Sequence, residues 1–110
     1  MAKTARMAQI EAMLAEDPDD AFLQYGLAME HASAGDDADC VLVLRDLITQ
    51  SAATPYVPAY LQAGQALVRL DNIEEAQIVL RDGIDTAAQV GTPEAMHARG
   101  EMQGLLSSIE

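Results

Sequence analysis

Apolar residues recur along the chain at helical spacing and are interrupted by proline, glycine and aspartate. Met7, Ile10 and Leu14 form one stripe over residues 4–16, with Met13 beside it. Asp17-Pro18-Asp19-Asp20 ends that stretch and supplies an N-cap and first-turn acids for the next. A second helix is predicted over residues 20–34, stopped by Gly35. A third spans 37–52, with Val41, Leu44, Leu47 and Ile48 on one face. Thr54-Pro55-Tyr56-Val57-Pro58 breaks the chain before a fourth helix over 58–70. Asp71-Asn72 turns into a fifth over 73–90, and Gly91-Thr92-Pro93 leads into a sixth over 93–108. No strand-type alternation is present. Six helices joined by short turns predict an all-α fold of antiparallel neighbours.

Three of these helices carry the same phrase. Phe22-Leu23-Gln24-Tyr25-Gly26-Leu27-Ala28-Met29 is matched by Tyr60-Leu61-Gln62-Ala63-Gly64-Gln65-Ala66-Leu67. Met96-His97-Ala98-Arg99-Gly100-Glu101-Met102-Gln103 is a degraded third copy. The glycines stand 38 and then 36 residues apart. The helices that follow also align, Cys40 to Asp46 against Ala76 to Asp82. A mid-helix glycine costs about 1 kcal/mol against alanine. Its recurrence predicts a close helix crossing, with the bulky residue four positions earlier filling the space beside it and Cys40 or Ala76 as the small partner. Such hairpins stack as a solenoid.

The chain resembles the tetratricopeptide repeat (TPR) family. The unit over residues 58–93 carries Tyr60, Ala63-Gly64, Glu75-Ala76, Leu80, Gly83 and Pro93. The unit over 20–55 is weaker, with two extra residues in its first helix, Cys40 in place of alanine and a late Pro55. Residues 4–18 resemble the second half of a preceding unit, and 93–108 the first helix of a following one, acting as a cap. The whole chain then forms one short right-handed solenoid.

The resemblance implies a non-enzymatic scaffold that holds a partner peptide or helix in a groove lined by the first helix of each hairpin. If Phe22, Tyr25, Gly26 and Met29 face the hairpin partner, the groove carries Leu23, Leu27, Glu30 and His31. The next unit contributes Leu61, Gln65, Val68 and Arg69, and the last helix His97, Glu101 and Leu105. An apolar stripe edged by charge suits an amphipathic helix or an extended apolar peptide. Some TPR domains grip a C-terminal carboxylate with lysine, asparagine and arginine. Here Leu23, Leu27, Leu61 and Gln65 occupy those places and only Arg69 is cationic, which argues against that mode. The alternative is a self-assembling module in which a second copy fills the groove or pairs the end helices, giving a homodimer.

Charge narrows the partner. The 110 residues hold 18 Asp and Glu against six Lys and Arg, a net charge of −12. Too few cations exist to displace counterions from nucleic acid or to dock on anionic lipid. An acidic peptide is repelled, so the expected partner is neutral to basic and amphipathic. A lone Cys40 excludes a disulfide framework. Glutamine and glutamate interrupt any leader-like core after Met1, and no apolar run reaches the length of a membrane span, so a cytoplasmic location is expected.

Other chemistry finds little support. His31 and His97 form no His-x-x-x-His pair, and Cys40 sits among Asp36, Asp37 and Asp39, which oppose thiolate formation. The two aspartate-rich turns lack the spacing, central glycine and distal glutamate of a calcium loop. Phosphate-cradling and nucleophile-elbow glycine motifs are missing. No cofactor, metal or catalytic residue is expected.

Overall fold

A computed structural model describes residues 4–110. It has six helices, α1 (Ala5–Glu16), α2 (Ala21–Ser33), α3 (Asp37–Gln50), α4 (Val57–Arg69), α5 (Ile73–Val90) and α6 (Pro93–Ile109). No strand occurs among the described residues. The fold is an all-α helical repeat. Each helix packs on the next in sequence, and α4 also contacts α6.

Local chemistry sets the helix starts. The Thr4 hydroxyl accepts from the Met7 N–H at 3.0 Å, Asp20 from Leu23 at 3.0 Å and Thr92 from Ala95 at 3.1 Å. Each satisfies a backbone donor that the first turn leaves free. Pro93 follows its cap at the first helical position, where no N–H is needed.

The repeat is written most clearly in the turns. Gly35 closes the α2–α3 hairpin at φ 79°, and Asp71 closes α4–α5 at φ 60°. The Asp36 N–H reaches back to the His31 carbonyl at 2.9 Å, and the Asn72 N–H to that of Leu67 at 2.9 Å. Both are the six-residue closure of a left-handed helix cap. These turns lie 36 residues apart. So do the starts of α2 and α4 (Ala21 and Val57), of α3 and α5 (Asp37 and Ile73), and of α4 and α6 (Val57 and Pro93).

That register corrects the expected phase of α2. The counterpart of Gly64 is Ala28, which is fully buried, and not Gly26. A Cβ built on Gly26 would meet Ile10 of α1 at 3.7 Å, so Gly26 faces α1 and not its hairpin partner. Phe22 faces outward and is 74% exposed. The two extra residues in the first unit disappear in this register. Gly100 is also exposed, and a Cβ there meets nothing within 4 Å. Close crossing holds at Gly64 alone among the three matched glycines.

Two apolar clusters form the core. Ala28, Cys40, Val41, Leu44 and Leu47 join Ala63, Ala66, Leu67 and Ala76 across α2 to α5. Val57 and Leu61 join Leu80, Ala87, Ala98 and Met102 across α4 to α6. Leu44, Leu47, Leu80 and Met102 are essentially closed to solvent. Burying each such side chain stabilises the fold by about 1.5–3 kcal/mol. At Gly83 an added Cβ would lie 2.5 Å from Met102 Sδ and 2.6 Å from Tyr60 Cβ, so α5 passes close to both α4 and α6 there.

Candidate functional site

The face read from the sequence divides in two. On α4 and α6 the expected residues share one register, since Leu61, Gln65 and Arg69 lie 36 positions before His97, Glu101 and Leu105. Gln65 is half-buried, and Val68 is half-buried against the first core cluster. Arg69 is exposed and pairs with Asp37 at 2.9 Å. His97 is exposed and pairs with Glu101 at 3.0 Å. Leu105 packs partly against the second cluster. Leu61 is only 7% exposed and belongs to that cluster, so its side chain is spent on α6.

On α2 the expected residues fall on another side. Leu23 and Leu27 are half-buried on the helical face that also carries Gly26 and Glu30. Gly26 meets Ile10, and Glu30 pairs with Arg6 at 3.3 Å, so this face looks at α1. His31 turns towards the hairpin, with Nδ1 4.0 Å from Asp36 Oδ2. The α2 counterparts of Leu61, Gln65, Val68 and Arg69 are Tyr25, Met29, Ala32 and Ser33.

Tyr25 sits at the seam between α2 and α4. Its ring lies 5.2 Å from that of Tyr56 at an angle of 44°. Burial pushes the Tyr25 phenol up, Tyr56 adds to the shift, and a hydrogen bond with Gln62 opposes it. The aromatic edge formed by Phe22 and Tyr25 was hidden by the glycine phrase. Spacing measured from the Gly35-Asp36 and Asp71-Asn72 turns reveals it.

His31, Asp36 and Asp39 are the described residues whose donor atoms could hold a metal, all lying within 4.8 Å of one another. Asp36 occupies the α3 N-cap position without making a side-chain cap bond. A hydrogen bond with Asp36, and then its charge, raises the Asp39 carboxyl. Two ligands of one tetrahedral zinc ion lie about 3.4 Å apart on the usual bond lengths. The 4.0 Å gap from His31 to Asp36 is wider, and His31 Nδ1 is closed to solvent. The cluster is better described as a cross-turn polar contact.

No protein-family profile matches the sequence, and no curated protein matches it. Solved structures do resemble the chain, and two of them are tetratricopeptide repeat domain proteins. One is the solution NMR structure of a tetratricopeptide repeat domain protein from Salinibacter ruber, at 27% identity and a TM-score of 0.73. It covers 84% of this chain and 89% of its own. The other is a crystal structure of a tetratricopeptide repeat domain protein from Salinibacter ruber, at 26% identity and a TM-score of 0.71, covering 82% of this chain and 96% of its own. Among the described residues no helix is long and apolar enough to cross a membrane. With six helices, two matched turns 36 residues apart and these structural neighbours, the chain has the all-helical repeat fold of tetratricopeptide repeat domain proteins.

Proposed function

We propose that the protein is a non-enzymatic interaction module that holds an amphipathic, neutral-to-basic helix or peptide across the first helices of its repeats. The TPR-type structural neighbours support a protein-interaction module in general. The contacting set in this reading is Phe22, Tyr25 and Met29 on α2, Gln65, Val68 and Arg69 on α4, and His97, Glu101 and Leu105 on α6. The observation that carries it is Phe22, an aromatic side chain 74% exposed beside half-buried Tyr25 and Met29. Aromatic anchors of this kind dominate binding energy when a partner covers them. The excess of carboxylates favours a partner without net negative charge.

Affinity capture tests this reading with wild type beside a Phe22→Glu, Gln65→Glu variant. Wild type retains a partner that the folded variant releases. Retention by both places the partner elsewhere. Sedimentation of the same two proteins addresses self-assembly, since a dimer that the variant dissolves would assign the face to a second copy.

A further inference from the structure

The 36-residue register sets Gln24 of the first hairpin where Tyr60 stands in the second. Tyr60 packs against both core clusters and lies against Gly83. Gln24 does not fill the equivalent space. An open cavity of about 620 Å³ lies there, between the start of α2, the end of α3 and the loop that follows. Ala21 and Leu47 give it an apolar surface, and Tyr56 forms a wall held by the Tyr25 ring.

Two polar features distinguish this cavity. Gln24 is 8% exposed. Its Nε2 donates to the Pro18 carbonyl and to Gln50 Oε1, each at 2.7 Å, while its own Oε1 has no hydrogen-bond partner. A buried acceptor without a donor costs about 1–3 kcal/mol. The second feature is charge. Asp19 lines the cavity, and no lysine or arginine does. Burial, and then the Asp20 charge, raises the Tyr56 phenol, so the Asp20 charge is felt at that wall.

We propose that this cavity binds an arginine side chain of a basic peptide, with its guanidinium stacked on Tyr56 and hydrogen-bonded to Gln24 and Asp19. A planar cation with several donors answers all three walls at once. Lysine supplies the charge without the plane, and an apolar ring leaves Gln24 and Asp19 unmet. Gln24 Oε1 is closed to solvent in the free protein, and in this proposal the Gln24 amide turns to present it to the guanidinium. The cavity lining shares no residue with the groove set and meets it through the Tyr25–Tyr56 ring contact.

Fluorescence anisotropy with short fluorescein-labelled peptides decides the matter. One peptide carries two arginines among glycine and alanine, a second carries two lysines, and a third two citrullines. At about 150 mM salt, where long-range attraction is screened, the arginine peptide binds about tenfold tighter than the lysine peptide, on the advantage of a planar fork over a point charge. The citrulline peptide binds weakest. Gln24→Tyr supplies the ring found 36 residues later and abolishes the preference for arginine. Equal affinity for arginine and lysine overturns the proposal, as does an unchanged preference in folded Gln24→Tyr. Should Gln24→Tyr fail to fold, the exposed Asp19→Asn decides: weaker arginine binding supports the site, and unchanged binding overturns it. Phe22→Glu leaves this binding intact. Loss in that variant would move the peptide to the groove and sink the cavity assignment.

Discussion

Gly64 and Leu80 meet at a close crossing in the second hairpin. A Cβ added to Gly64 would lie 2.5 Å from Leu80 Cδ2 and 2.8 Å from Cγ, and Leu80 is fully buried with no free side to retreat to. Gly64→Leu is expected to cost about 1–3 kcal/mol through overpacking. At about 4 °C or more per kcal/mol, the melting temperature falls visibly. Gly100→Ala is the control, because nothing lies within 4 Å of its Cβ position. It gains about 0.5–1 kcal/mol from helix propensity. Thermal melts of the two variants should move in opposite directions. A stable Gly64→Leu would remove the case for close packing at this crossing.

The helix count was legible because proline, glycine and aspartate punctuate the chain at nearly every boundary. The second repeat was legible as well, since Tyr60, Gly64, Ala76 and Leu80 occupy compatible packing positions. The first repeat misled because Tyr25-Gly26 mimics Ala63-Gly64 two residues out of step. Glycine without a close neighbour is a weak register mark, and Gly26 merely faces α1 at 3.7 Å. A backbone turn is a stronger one, because only a few residues accept a left-handed φ. Other features lie beyond local pattern. The approach of His31 to Asp36 depends on the turn path, and the burial of Leu61 depends on where α6 settles.

Asp71 offers a test of the repeated turn. It holds φ 60° where Gly35 holds φ 79° in the first hairpin. A side chain at positive φ is strained, although aspartate tolerates it better than most. Asp71→Gly is expected to stabilise by a few tenths to about 1 kcal/mol, the relief of strain exceeding the added freedom of the unfolded chain. Gly35→Ala should destabilise by a similar or larger amount, since alanine gains no local hydrogen bond there. Urea denaturation of both variants would check the pair. Destabilisation by Asp71→Gly would show that the aspartate side chain contributes more than its backbone strain costs.

Phe22 and Leu61 separate surface from core. Phe22→Glu changes a side chain that is 74% exposed, and Leu61→Glu changes one that is 7% exposed within the α4–α6 cluster. The first should alter stability by no more than about 0.5 kcal/mol. The second buries an unpaired carboxylate and should cost about 3 kcal/mol or more, or expel α6. Circular dichroism melts distinguish them. A mild Leu61→Glu would mean that α6 docks less firmly on α4 than the packing around Met102 implies.

Cys40 ties the core to alkaline stability. Its side chain is fully buried, and burial pushes the thiol from 9.0 up to about 11, opposed by Arg69 and reinforced by Asp37. The folded thiol therefore stays neutral while the unfolded thiol ionises near 9. Its contribution to stability is complete below that value and is lost as pH rises towards 11. Tyr25 and Tyr56 are also raised, so they act in the same direction. Between about pH 8 and about pH 10.5 the wild-type melting temperature should fall, and Cys40→Ala should fall less. Ala76 stands at the matching place in the second hairpin, so the substitution fits the backbone. Thiol labelling provides the independent check. Native protein near neutral pH should react slowly with a disulfide reagent and rapidly once unfolded, because the thiolate is scarce and enclosed. Fast native labelling together with an identical alkaline loss in Cys40→Ala would show that the α2–α3 crossing opens in solution and that the tyrosines alone set the alkaline limit.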